Sequence, residues 1–282
     1  MDPIIWDWLL LWRPWPQIIL TLVGLGVLYG RGWKLLRQRG AEQVATKWRL
    51  TAFLAGLVVL GLAMLSPIEV LQELFFSVHM VQHILIMMVG APLLLVGDPY
   101  PFLVWGLPDR IRPSVVKLMA PGAPLRSIVQ RVAGPWASWG LYVGAQWLWH
   151  VPAAYDAALS SELLHILEHM TFFVTALMFW WHLSGAAPRL WGRQGYGLRI
   201  GYALAALASN EALGVGISFA GRPLYSHYAN VPRMWGFSVM DDQTLGGALM
   251  WVPGGMMYAL AAVVLLARYL DREEKRIEAV GQ

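Results

Sequence analysis

The feature that most constrains this chain is the alternation of long apolar runs with short charged links. Seven runs can be marked, at about 17–36, 50–66, 75–96, 136–150, 163–183, 200–219 and 243–267. Crossing the roughly 30 Å hydrocarbon core of a bilayer takes about 20 helical residues. Inside lipid only a helix or a closed barrel satisfies its own backbone. The runs predict an all-α, polytopic membrane protein, a seven-transmembrane-helix bundle forming one domain over 1–282. Seven crossings make the links alternate between two sides, and the basic residues choose between them. Counting the basic end of run one from Arg31 with the link that follows it, all but three of the 21 Lys and Arg fall in the links between runs one and two, three and four, and five and six, or in the tail. Arg13, Arg222 and Arg233 are the exceptions. The positive-inside rule then puts the N-terminus outside and the C-terminus in the cytoplasm.

Composition removes the main alternatives. With 57% hydrophobic and 13% charged residues, the chain falls well short of the roughly 25% charge of soluble domains. The net charge of +4 does not mark a nucleic-acid binder, because the basic residues lie between apolar runs. With no Cys, disulfides and thiolate metal sites are excluded. A soft metal would have to be held by His and Met. Met1–Trp6 has neither a basic n-region nor a small-residue cleavage site, so no cleaved signal peptide is expected. Trp6, Trp8, Trp12 and Trp15 predict an interfacial lead-in over 1–16. The proline-punctuated link 98–134 predicts an interfacial amphipathic helix in its middle. The tail 268–282 is expected to fray.

The third run carries His79 and His83, and the fifth carries His165 and His169. Spacing of i, i+4 stacks two imidazoles on one helix face, about 6 Å apart along the axis. In the predicted topology both pairs lie near the outer side, His79 and His165 in an upper layer and His83 and His169 one turn deeper. His150, ending the fourth run, is expected to join the upper layer. One histidine at the end of a span is usually interfacial. Two pairs at matched depth on separate spans point instead to a metal site, because ionisable groups in a membrane are costly and mark function. His182 lies at the opposite end, and His227 lies in a loop where solvent or headgroup contact is expected.

Other groups on the outer side could join that site. Glu168, three residues from His165, lies close to the same face and could be ligand or base. Glu211 sits inside the sixth run and needs a partner or a proton. Asp241, Asp242 and Gln243 could cap the seventh helix or orient the imidazoles. Met80 and Met250 could pack or ligate, Met250 having a depth that matches the lower histidine layer. A His-rich, Cys-free donor set suits copper best, zinc less well, and leaves iron open. One bis-His haem is a further alternative. The functions left open are copper delivery without catalysis, copper transport, and a His/Glu di-metal enzyme.

The motifs resemble one family. They comprise His79-Met-x-Gln82-His83 with Ala91-Pro92-Leu93 and Gly97-x-Pro99, and His150-x-Pro152-x-x-Tyr155 with His165-x-x-Glu168-His169. Pro223-Leu224-Tyr225-x-x-Tyr228 and Asp242-Gln243-x-x-Gly246-Gly247-x-x-Met250-Trp251-x-Pro253 follow. In this order they resemble the multi-spanning CtaG family of cytochrome c oxidase assembly factors. The resemblance implies a non-enzymatic seven-span protein of a bacterial cytoplasmic (inner) membrane that helps deliver copper to a haem–copper oxidase. It implies His79, His83, His150, His165 and His169 as copper ligands. The partners implied are membrane lipid, the oxidase core subunit and a periplasmic copper chaperone.

Overall fold

The structure, a computed structural model, describes residues 12–192 and 194–280, and among these every regular element is helical. The signal-peptide expectation at Met1–Trp6, Arg193, and residues 1–11 of the expected interfacial lead-in lie outside the described residues. Among the described residues, six helices are long and apolar enough to cross a membrane. They are α1 (Pro16–Gln38), α2 (Lys47–Leu65), α3 (Phe76–Val96), α5 (Glu162–Ser184), α6 (Tyr196–Ser218) and α7 (Val239–Ala279). The fourth expected span is helix α4 (Pro135–Trp149), 15 residues long, shorter than the usual crossing. One face of it packs against α5 and α6, and the other is exposed. Within the described part of the tail the expected fraying is not seen: α7 continues to Ala279, supported by Lys275–Asp271 at 2.9 Å and Arg276–Glu273 at 3.6 Å. Ion pairs three and four residues apart favour the helical form.

The central element is α3, in contact with α2, α5 and α7. It is not a uniform α-helix. Phe76–Ile84 is α, Leu85–Gly90 is π, and Ala91–Val96 is α again. Pro92 offers no N–H to the preceding turn, so a carbonyl there goes without its usual partner. The Trp180 indole of α5 donates to Met87 O at 2.9 Å. A second π segment, Met250–Gly254 in α7, contains Pro253, and Asn210 of α6 donates to Met250 O at 2.8 Å. Such π segments recur at functional sites.

In the link between α3 and α4, three short helices form, Pro99–Gly106, Arg112–Leu118 and Pro124–Val132, and the last of them is strongly amphipathic. The first is clamped onto α1. A Cβ on Gly32 would meet the carbonyl of Phe102, and one on Gly106 would meet that of Leu28. Backbone therefore touches backbone, an approach that only glycine permits. Gly32→Ala is expected to lower stability by about 1–3 kcal/mol, as overpacking does. Thermal unfolding of the detergent-solubilised variant checks this, with Gly24→Ala, where a Cβ meets open space, as the unaffected control. Asp98, at φ 51°, accepts from Ala187 N at 2.7 Å and lies 3.4 Å from Arg49. It ties the end of α3 to the segment after α5.

Candidate metal centre

The histidine-bearing end of α3 is held in place from outside the helix. Its first backbone N–H groups have no cap from Phe75, and a helix start leaves such donors unsatisfied. Asp242 of α7 supplies the cap, accepting from Phe76 N at 2.9 Å and from Ser77 N and Oγ at 3.0 and 2.6 Å. Arg233 lies 3.4 Å from the same carboxylate. On another side Gln82 donates to Ala63 O at 2.9 Å and to Glu69 at 2.6 Å. Burial, which outweighs the Gln82 hydrogen bond and the Arg13 charge, pushes the Glu69 carboxyl from 4.5 to about 7. The fold therefore binds this proton more tightly than the unfolded chain does. Its contribution is complete below the unfolded value of 4.5 and is lost as pH rises through about 7. Stability should fall across that window, and Glu69→Gln should flatten the fall in a pH series of thermal unfolding.

Held this way, α3 faces α5, and four imidazoles stack as the spacing requires. Ring centroids lie 4.3 Å apart for His79–His83 and for His165–His169. Across the helices they lie 5.3 Å apart for His79–His165 and for His83–His169. Glu168 sits among them with no exposed surface. Its two oxygens lie 3.9 Å from His79 Nε2 and 3.8 Å from His83 Nε2. None of these four atoms has a hydrogen-bond partner. One donor atom each from His79, His83, Glu168 and His169 falls within 4.8 Å of all the others.

Hydrogen bonds around the cluster set the tautomers. His150 Nδ1 lies 2.7 Å from the carbonyl of Gln146, so that nitrogen carries the proton and Nε2 keeps a lone pair. His79 Nδ1 lies 2.7 Å from the Tyr155 hydroxyl, which is 3.1 Å from that of Tyr228. Tyr228 in turn donates to Gln72 O at 2.9 Å. One arrangement gives every donor an acceptor. His79 Nδ1–H donates to Tyr155, Tyr155 to Tyr228 and Tyr228 to the Gln72 carbonyl. His79 Nε2 is then left with its lone pair facing Glu168. Orientation of a ligating imidazole through its other nitrogen is a common feature of metal sites. Burial pushes the Tyr228 hydroxyl well above its ordinary value, so it stays protonated and keeps the chain directed.

The other expected site residues lie at the edge of this group or away from it. His150 comes beside His83, at 6.4 Å between rings, and not into the upper layer. The helix Pro152–Ser160 that follows it occupies that level and brings Tyr155 over His79. His165 is half-buried at the rim. Asp241 is exposed and forms a capping box with Ser238. Asp242 clasps α3, and Gln243 bonds Ile217 at the end of α6 and Arg222 and Leu224 of the following loop; neither bonds an imidazole. Glu211 lies against Gly255 on the α6–α7 contact, outside the cluster. Met80 and Met250 line a cavity with His83 and His150. His182 bonds Ala133 O at 2.9 Å, and His227 bonds Glu73 O at 2.9 Å.

Residues 27–272 match the model of the cytochrome c oxidase caa3 assembly factor family, Caa3_CtaG. The chain is also 24% identical over 268 residues to the uncharacterized protein ML1998 of Mycobacterium leprae. It is 26% identical over 280 residues to the uncharacterized proteins Mb0105 of Mycobacterium bovis and MT0111 of Mycobacterium tuberculosis. These matches cover 94% to 95% of this chain but 40% of each relative. No solved structure matches. Because the family model spans residues 27–272, most of the chain, the protein belongs to the Caa3_CtaG family of cytochrome c oxidase assembly factors.

Proposed function

We propose that this chain is a membrane-embedded copper carrier acting in haem–copper oxidase assembly, without catalysis of its own. His79, His83, His169 and Glu168 hold the ion, with His165 at the rim and His150 beside His83. The observation that carries this reading is Glu168, fully buried with both oxygens unpaired between two imidazole nitrogens. A lone carboxylate in that position is expensive. A cation bridging it to the imidazole lone pairs removes the cost and leaves little net charge in the membrane. Imidazole donors without thiolate suit copper, and three imidazoles with one carboxylate could also be met by zinc. The distribution of Lys and Arg supports seven crossings with the cluster on the outer side. From there copper would pass by ligand exchange to the oxidase core subunit, after arrival on a periplasmic copper chaperone.

Elemental analysis of the detergent-purified protein tests this directly. Copper should co-purify or load stoichiometrically, and His83→Ala combined with His169→Ala should remove it from the cluster. Full copper occupancy in that double variant, with the protein still folded, would sink the assignment.

A further inference from the structure

We propose that the chain carries a second metal site, distinct in chemistry from the histidine–carboxylate cluster: a chamber one turn deeper that takes a soft monovalent d10 cation such as Cu(I). It goes beyond the copper reading above, since it adds thioether donors that the cluster lacks and shares only His83 and His150 with it. A cavity of about 20 Å³ lies between α3, α4, α6 and α7. That is room for one water or one ion. Its wall includes Met80, Met87, Met88 and Met250 together with His83 and His150. All four methionines are buried. No carboxylate lines it, and neither does any lysine or arginine.

Methionine commonly fills irregular gaps in a core, and four around one cavity could do only that. Four observations argue for more. The space is left open and ion-sized instead of being filled. His150 Nε2, whose lone pair is fixed by the bond from Nδ1 to Gln146 O, is buried and has no partner. Gln146 Oε1, on the same wall, is also buried and unpartnered. Finally, Met87 and Met88 lie in one π segment and Met250 opens the other. Both departures from α geometry thus occur at the chamber wall. Thioethers with a neutral imidazole select Cu(I) over harder divalent ions. His83, with both ring nitrogens unpartnered, borders the chamber and the cluster above and is the bridge between them.

The test uses Ag(I), a redox-inert d10 probe, and Zn(II), which binds imidazole and carboxylate but not thioether, on the full-length protein in detergent. Wild-type protein should bind Ag(I) with sulfur neighbours in its X-ray absorption spectrum. Met87→Leu combined with Met250→Leu, a substitution close in volume, should lose that sulfur-coordinated ion while keeping Zn(II) binding intact. Silver bound with only nitrogen and oxygen neighbours in the wild type would overturn the proposal. So would undiminished sulfur-coordinated Ag(I) in the variant, or a chamber that excludes silver and holds only water. If the double variant does not fold, the wild-type spectrum and Met250→Leu alone decide. Failure of the copper reading looks different: Zn(II) and copper leave the histidine cluster unoccupied while sulfur-bound silver remains.

Discussion

Glu168→Leu is expected to make the metal-free protein more stable while abolishing metal binding by the cluster. Both carboxylate oxygens are fully buried and unpartnered. Removing a buried polar group that makes no hydrogen bonds recovers its desolvation cost, about 1–3 kcal/mol. Leucine fills much of the same space with apolar surface, so the cavity left behind is small. The metal-loaded wild type gains stability from the ion by mass action, and the variant should show no such gain. Thermal unfolding with and without copper measures both effects at once. A carboxylate serving only to brace the fold predicts the reverse sign for the metal-free protein. A clear loss of stability in that form would count against a ligand role.

Asp242→Ala should be among the most damaging single changes outside the cluster. The carboxylate satisfies two backbone N–H groups and one hydroxyl at the start of α3 and faces Arg233. Alanine strands all of them in a buried place, and breaking a buried pair typically costs about 3–5 kcal/mol. The loss bears directly on the site, since His79 lies two residues beyond Ser77. Metal affinity should therefore fall together with the melting temperature. Asp242→Asn, with one oxygen instead of two, should fall between. Unchanged stability in Asp242→Ala would mean that water takes over the cap.

The pattern of apolar runs was enough to place the six long helices, and the i, i+4 histidine pairs were enough to predict which faces of α3 and α5 meet. Both depend on local period, which sequence records directly. Glu168 was legible for the same reason, three residues from His165. The role of Asp242 was not, because it caps a helix 166 residues away in sequence. A carboxylate before an apolar run reads first as a cap for its own helix, which is what Asp241 does. Nor could the depth of His150 be read, since it depends on where the short α4 stops and on the helix Pro152–Ser160 folding across its end. The tyrosine chain behind His79 was visible only as conspicuous letters, Tyr155 and Tyr228, whose hydroxyls meet through tertiary packing.

The two wide turns in α3 and α7 have a mechanical consequence. An added residue within a turn offsets everything on one side of it by about 100° about the axis. The two halves of each rod are thereby keyed to different neighbours. Deleting any one residue between 85 and 90 would restore a regular pitch and put the halves out of phase. The imidazoles could then meet α5 only if the lower half of α3 abandoned its seat on α2.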